Sequence, residues 1–345
     1  MAERSILSTY RTGQVILVVG VLMASLFVAS YSIALGRPMP RHIPTAIVGN
    51  PAQHSALIDV LQQQVDGSLE FHPYRSKSAA EVAMNRQTMK AALILGSQPP
   101  LLLVSSAASA PIAALLTTAV EQAGLQLAPH SAPPLHAVDI RPLPPTDPQG
   151  LIGFYVTFAA TILGFSIVFN LRAHEPHLSP RAWLAFIGVL GVVGGLALTL
   201  VTDRMIGALR GSFPQIWAAV TTQITVTALF TSTMIVLLGR WAIVPAWLLF
   251  TAVGNPSAGG AVSAPMLPKL YAFFGYYLPT GATVAIVHNA AYFRDAQHLR
   301  PVVVQAAWLV GCLAAFLISV RALRWSPTRE PEEPDEPAYV PDPSR

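Results

Sequence analysis

Apolar residues come in blocks along this chain. Over residues 14–35, 151–171, 182–202, 215–238, 240–254 and 302–321 nearly every position is apolar or small, and charge is confined to the block ends. A helix needs about 20 apolar residues to cross roughly 30 Å of hydrocarbon, so the pattern predicts six membrane helices. The first block is longer than the roughly 7–15 residues of a signal-peptide core and reads as a retained anchor. The fifth is short: from Trp241 it offers about 13 residues, roughly 20 Å at about 1.5 Å per residue.

Between the first two blocks the pattern changes. PTAIVGN (44–50), SLEFHPY (68–74), AALILG (91–96), LLLVSS (101–106) and LHAVDIRPL (135–143) read as strands. Leu57, Ile58, Leu61 and Val65 recur at helical spacing, SAAEVAMNRQTMK (78–90) reads as a second helix, and APIAALLTTAVEQAG as a third that stops at Gly124. Strands alternating with helices predict an α/β domain over 36–150, joined through PPTDPQG to the second span. The fold class is therefore an α-helical polytopic membrane protein with an extracytoplasmic α/β domain between its first and second helices.

The stretch VGNPSAGGAVSAPMLPKL (253–270) interrupts the apolar pattern without becoming hydrophilic. Gly254, Asn255, Pro256, Gly259 and Gly260 predict a helix stop, with Asn255 pushed toward extended backbone by the proline that follows it. LYAFFGYYLPTGATVAIVHNAAYF then resumes, divided by Pro279 and Gly281 into two pieces too short to span. Irregular backbone survives at membrane depth only when buried in protein or lining a watery cavity. Residues 255–293 are therefore read as a broken re-entrant element, the alternative being an amphipathic helix lying flat on the membrane.

Polar and small residues inside the spans have two readings. Thr221, Gln223, Thr225 and Ser232 lie in a fourth span that is unusually rich in hydroxyls. They fit interhelical hydrogen bonding, or one wall of a polar pathway. Gly191 and Gly195 form a small-xxx-small pair suited to close helix packing.

Charge sets the expected orientation. Of the 345 residues 21 are basic and 17 acidic, a net +4 with no basic run that would point to nucleic acid. Arg4, Arg11, Arg172, Arg181, Arg240, Arg321, Arg324 and Arg329 fall at block ends that share one side if the N-terminus is cytoplasmic, with Arg204 and Arg210 on the other. The positive-inside rule then places both termini in the cytoplasm of a multi-pass cell-membrane protein. The tail 322–345 is acidic and proline-rich and reads as disordered. Catalytic chemistry finds no support: His42, His54, His72, His130 and His136 are scattered, HEPH (174–177) lacks zinc-site spacing, and no nucleophile elbow occurs. Cys312 is the single cysteine and reads as a buried thiol. No pattern calls for a metal or cofactor.

The layout, together with DPQG before the second span, GNPSAGG, APMLP, YYLPTGA and YF, resembles the transmembrane subunits of type-2 ABC exporters, and most of all the YhgE/Pip (phage infection protein) branch. Where that branch carries a long coiled extracytoplasmic region, this chain has a compact domain. The resemblance implies a homodimer or heterodimer, a lipid-embedded permease-like part and a separate nucleotide-binding ATPase subunit. It also implies an outer-gate role for Gly254, Asn255, Pro256, Gly259, Gly260, Pro279 and Gly281. The chain itself has no GxxxxGK[ST] loop, and none of Lys77, Lys90 and Lys269 follows a glycine. The expected function is export of an apolar or amphipathic molecule. The alternative is a non-transporting envelope scaffold or receptor acting through the 36–150 domain.

Overall fold

The computed structural model describes residues 2–36, 40–127 and 135–323, so that most of the C-terminal tail, with Arg324 and Arg329, and also His130, lies outside the described residues. After the long helix α1 (Ala2–Leu35) the chain forms β1 (Ile43–Val48), α2 (Ser55–Gln64), β2 (Leu69–Tyr74), α3 (Lys77–Asn85), β3 (Ala91–Ile94), β4 (Leu101–Val104), α4 (Ala110–Leu127) and β5 (His136–Asp139). The five segments whose composition reads as strands are the five strands of one sheet. Its order is β2-β1-β3-β4-β5, with only β3–β4 antiparallel.

Side-chain alternation assigns the two faces of the sheet. Ile43, Ile47, Ala91, Leu93, Leu102 and Val104 pack with Leu57, Leu61, Ile112 and Leu116 of α2 and α4. Ala46, Ala92, Ile94 and Leu103 pack on the other face with Ala80 and Met84 of α3. Both faces are covered, which is why these strands read as continuous apolar runs.

The membrane-type helices follow: α5 (Ile152–His174), α6 (Pro180–Leu200) with a π-helical turn to Met205, and α7 (Phe213–Leu238). Next come α8 (Ile243–Trp247), a π-helical stretch Leu248–Gly254, α9 (Asn255–Ser257), α10 (Lys269–Tyr277), α11 (Pro279–Tyr292) and α12 (Leu299–Ala322). Five helical stretches are long and apolar enough to cross a membrane, or six if the bent pair α10–α11 counts as one. The longest of them, Phe213–Ser257, is not straight. Gly239 adopts φ 56°, a left-handed value open to glycine, and the Phe230 and Phe250 rings meet edge-on at 5.3 Å, so the chain reverses there.

Polarity is inverted relative to a water-soluble bundle. Val15, Ile16, Leu17 and Val18 of α1, Val189 and Val193 of α6, and Val303, Val310 and Ile318 of α12 are exposed. Gln223, Thr161, Thr227, Thr283 and Gln305 are buried. Apolar surface outside and satisfied polar groups inside are what hydrocarbon solvent selects, and the chain is a polytopic helical membrane protein.

Two local expectations are corrected. The helix expected to stop at Gly124 runs through that buried glycine to Leu127. The fifth apolar block does not stop at Gly254, and Asn255 is not extended: it is helical at φ −68°, ψ −51°, and the helix runs on to Ser257. The widened π turn before Pro256 relieves the clash between a proline ring and the preceding turn. Pro256 also has no N–H for the Ala252 carbonyl, and the Ser30 hydroxyl of α1 donates to that carbonyl instead. The Gly254 carbonyl is satisfied in the same way by Thr280 Oγ1 at 2.9 Å. Tertiary donors replace the local bonds that the sequence lacks.

The sheet unit is seated on the end of the bundle where α9, α10 and α11 lie. Val262, Met266 and Leu267, from the loop after α9, are buried in the core beneath α2 and α4. The Arg41 N–H donates to Pro265 O at 3.0 Å, Gln87 Nε2 to Asn289 Oδ1 at 2.7 Å, and Thr146 Oγ1 to Gly207 O at 3.2 Å. Asp147 ties the linker to α5 by accepting from the Leu151 and Ile152 N–H groups.

Candidate functional site

The residues expected to break the helix converge on one place. α10 and α11 meet at an angle of 76° around Leu278 and Pro279. The bend is packed backbone to backbone: a Cβ on Gly275 would overlap the Ser257 carbonyl oxygen, and one on Gly281 would overlap the Gly275 carbonyl oxygen. Side chains are excluded from this stack, so α9, α10 and the start of α11 form a single close-packed element.

On the sheet side of this element lies a cavity of about 580 Å3. Ser257, Gly259, Gly260, Gly275 and Gly281 line it from the membrane half, and Gln87, Lys90, Ser106 and Ser109 from the sheet unit. Phe154, Leu209 and Val284 supply apolar wall. That volume lies within the roughly 300–1,000 Å3 range of small-molecule sites, and polar groups set among apolar walls are the usual composition of such sites. Of the predicted gate residues, Gly259, Gly260 and Gly281 face the cavity. Gly254, Asn255, Pro256 and Pro279 sit behind it in the packed break.

The polar groups around the cavity differ in how they are engaged. His288 bonds the Ala107 carbonyl through its ring, Gln87 bonds Asn289, and the Ser109 and Ser263 hydroxyls pair. Ser257 is 1% exposed and its hydroxyl has no hydrogen-bond partner among the described residues. Lys90 holds its backbone N–H on Pro44 O at 2.8 Å while its side chain turns into the cavity. Burial away from bulk water pushes its amine below the usual lysine range. No aspartate or glutamate is among the described residues that line the cavity. The nearby Asp139 accepts from Ser106 and from the Arg141 N–H.

The hydroxyl-rich fourth span is placed elsewhere. Thr221 and Thr225 lie against Gly195 and Gly191, where a Cβ on either glycine would overlap a threonine Oγ1. These small residues thus bring α6 and α7 into close contact. Gln223 is at the centre of a buried network: it donates to Thr161 Oγ1 at 2.9 Å and accepts from Thr283 Oγ1 at 2.9 Å. Gln305 donates to that same Thr283 at 2.7 Å and to the Ala219 carbonyl at 2.8 Å. Ser232 accepts from Trp183 Nε1 at 2.9 Å. These four positions face three different neighbours and none lines the cavity.

Lys90, Ser257 and Gly275 escape a reading of the sequence. Lys90 looks like an ordinary solvated residue at the end of a helix, and Ser257 and Gly275 like filler between stronger signals. Each acquires its role from a segment far away in the chain. Among the described residues no group of three or more His, Cys, Asp or Glu is placed to hold a metal ion. Comparison with models of known families, with curated proteins and with solved structures finds no match to this chain.

Proposed function

We propose that this chain is the permease-like component of an exporter that moves an amphipathic molecule and depends on a separate ATPase subunit. The observation that carries this reading is the close-packed break formed by α9, α10 and α11, which lines a cavity between the bundle and the sheet unit. Discontinuous helices facing a cavity are the recurrent construction of transporter sites. The break is the outer gate in this reading, with Gly259, Gly260 and Gly281 at its cavity face. The layout shared with type-2 exporters supplies the mechanism: ATP hydrolysed by the partner drives rearrangement of two membrane halves, so a homodimer or heterodimer is required.

The orientation follows from charge. Arg172, Arg181, Arg240 and Arg321 sit at the bundle end away from the sheet unit, with Arg204 and Arg210 at the other, and the positive-inside rule favours the cytoplasm for the former end and the outside for the sheet unit. The ATPase then docks on the 172–181 turn.

Affinity purification of the tagged full chain in mild detergent, with mass spectrometry of its companions, tests the reading. A stoichiometric P-loop ATPase is the expected result. Recovery of only further copies or envelope proteins would overturn it in favour of a scaffold or receptor acting through the sheet unit.

A further inference from the structure

We propose that the junction cavity binds an amphiphile with a compact anionic head, a carboxylate or phosphate, whose charge is held by Lys90 while its apolar part lies along Phe154 and Val284. The proposal rests on the transport reading and narrows it to a cargo class.

The first argument is the uncompensated cation. Among the described residues the ion pairs are His42–Glu70, His72–Glu70, Lys77–Glu81 and Arg204–Asp203, and Lys90 belongs to none of them. A cation withdrawn from bulk water without a counter-charge is costly, and folds remove that cost by pairing it. Here the cavity wall supplies no carboxylate, so an anionic head entering the cavity would give Lys90 the counter-charge that the wall lacks.

The second argument is the sign of the field. Arg300 also lines the cavity, as do the first turns of the long helices α4 and α12, whose N-termini carry partial positive charge. A cationic or neutral polar cargo gains nothing from this arrangement. A free inorganic anion would leave the apolar wall unused.

The test uses the full chain purified in neutral detergent and native mass spectrometry. Phosphatidylglycerol, phosphatidylcholine and inorganic phosphate are the probes. Phosphatidylglycerol should be retained at least about tenfold better than phosphatidylcholine, since about 1.4 kcal/mol of charge pairing already corresponds to tenfold. Lys90→Gln should abolish that preference, and Lys90→Arg should keep most of it. Inorganic phosphate that displaces the lipid only at high concentration assigns the site to amphiphiles. Phosphate that binds equally well alone would overturn the amphiphile and leave a free-anion site. Equal retention of the two lipids, or a Lys90→Gln variant that matches the parent, overturns the proposal. Thermal stabilisation of the unsubstituted chain by phosphatidylglycerol over phosphatidylcholine is read alongside, so that a misfolded variant does not decide the matter. Retention is scored without any ATPase. Lys90-dependent retention with no ATPase partner would therefore sink only the transport reading. A partner without such retention would sink only this one.

Discussion

At the scale of single residues, the buried glutamine and the half-buried lysine pose opposite problems. Gln223 has every strong bond it needs, from Thr161 and Thr283, with Gln305 completing the group. Gln223→Leu would remove both bonds and leave Thr161 and Thr283 with the carbonyls of Thr157 and Pro279, a loss of about 0.5–1.5 kcal/mol per bond. A thermal or denaturant unfolding series in detergent should show a loss of that size, and an unchanged midpoint would mean the network is dispensable. Lys90 is the reverse case, a charge that the fold holds at a loss. Its amine is pushed below the usual lysine range, so the folded chain binds its proton less readily than the unfolded chain does. The penalty is present in full below that lowered value and disappears as pH rises toward the unfolded value. Lys90→Met, which keeps the aliphatic stem, should therefore be more stable than the parent at neutral pH without ligand, and its advantage should shrink as pH rises. The groups that face Lys90 across the cavity include His288, His298 and Arg300, and none of them supplies negative charge. A variant less stable than the parent at pH 7 would show that Lys90 is structural. Neither role was visible locally. Gln223 stood out because amides are rare in membrane spans, but its partners beyond its own helix lie on two others, α5 and α11. Lys90 did not stand out at all.

At the scale of elements, the bend is held by main-chain contact and not by side chains. Gly275→Val should force α10 away from the Ser257 carbonyl, and Gly281→Val should do the same between α11 and α10. Overpacking of this kind costs typically about 1–3 kcal/mol. Both variants should unfold earlier than the parent, whereas Gly311→Ala on α12, where an added Cβ meets nothing within 4 Å, should leave the midpoint within experimental error. Equal behaviour of all three would mean that the stack is not tight. Elements whose signal is periodic were legible. The alternation in AALILG and LLLVSS and the spacing of Leu57, Leu61 and Val65 give strands and a helix because each repeats a local rule. The end of the fifth block was not legible, because Asn255 and Pro256 obey a tertiary rule. A proline is tolerated inside that helix because Ser30, distant in sequence, takes over the Ala252 carbonyl that it cannot serve, while Thr280 bonds the Gly254 carbonyl just before it. The cavity was illegible for the same reason: it exists only where the 258–268 loop is inserted under α2 and α4.

At the scale of the whole molecule, the sheet unit and the arginine-bearing turns lie at opposite ends of the bundle, so one labelling experiment determines the sidedness of the entire chain. Cys312, the chain's single cysteine, is buried. Its replacement by alanine gives a background without thiols, at a small cost in packing. Gln53 is exposed on the sheet unit, in the turn before α2, and Arg240 is exposed at the reversal between α7 and α8. Gln53→Cys should react with a membrane-impermeant maleimide in intact cells, and Arg240→Cys should react only after the membrane is opened. Three membrane-type helices, α5, α6 and α7, separate these two sites in the chain, and an odd number of crossings puts them on opposite sides of the bilayer. The reverse labelling pattern would put the sheet unit in the cytoplasm. It would also put the cavity there, at the mouth through which cargo enters rather than leaves. The break formed by α9, α10 and α11 would then be an inner and not an outer gate, and an ATPase could no longer dock on the 172–181 turn. If the chain is an exporter component, sidedness is thus the property on which the direction of transport, the meaning of the gate and the location of the partner all depend.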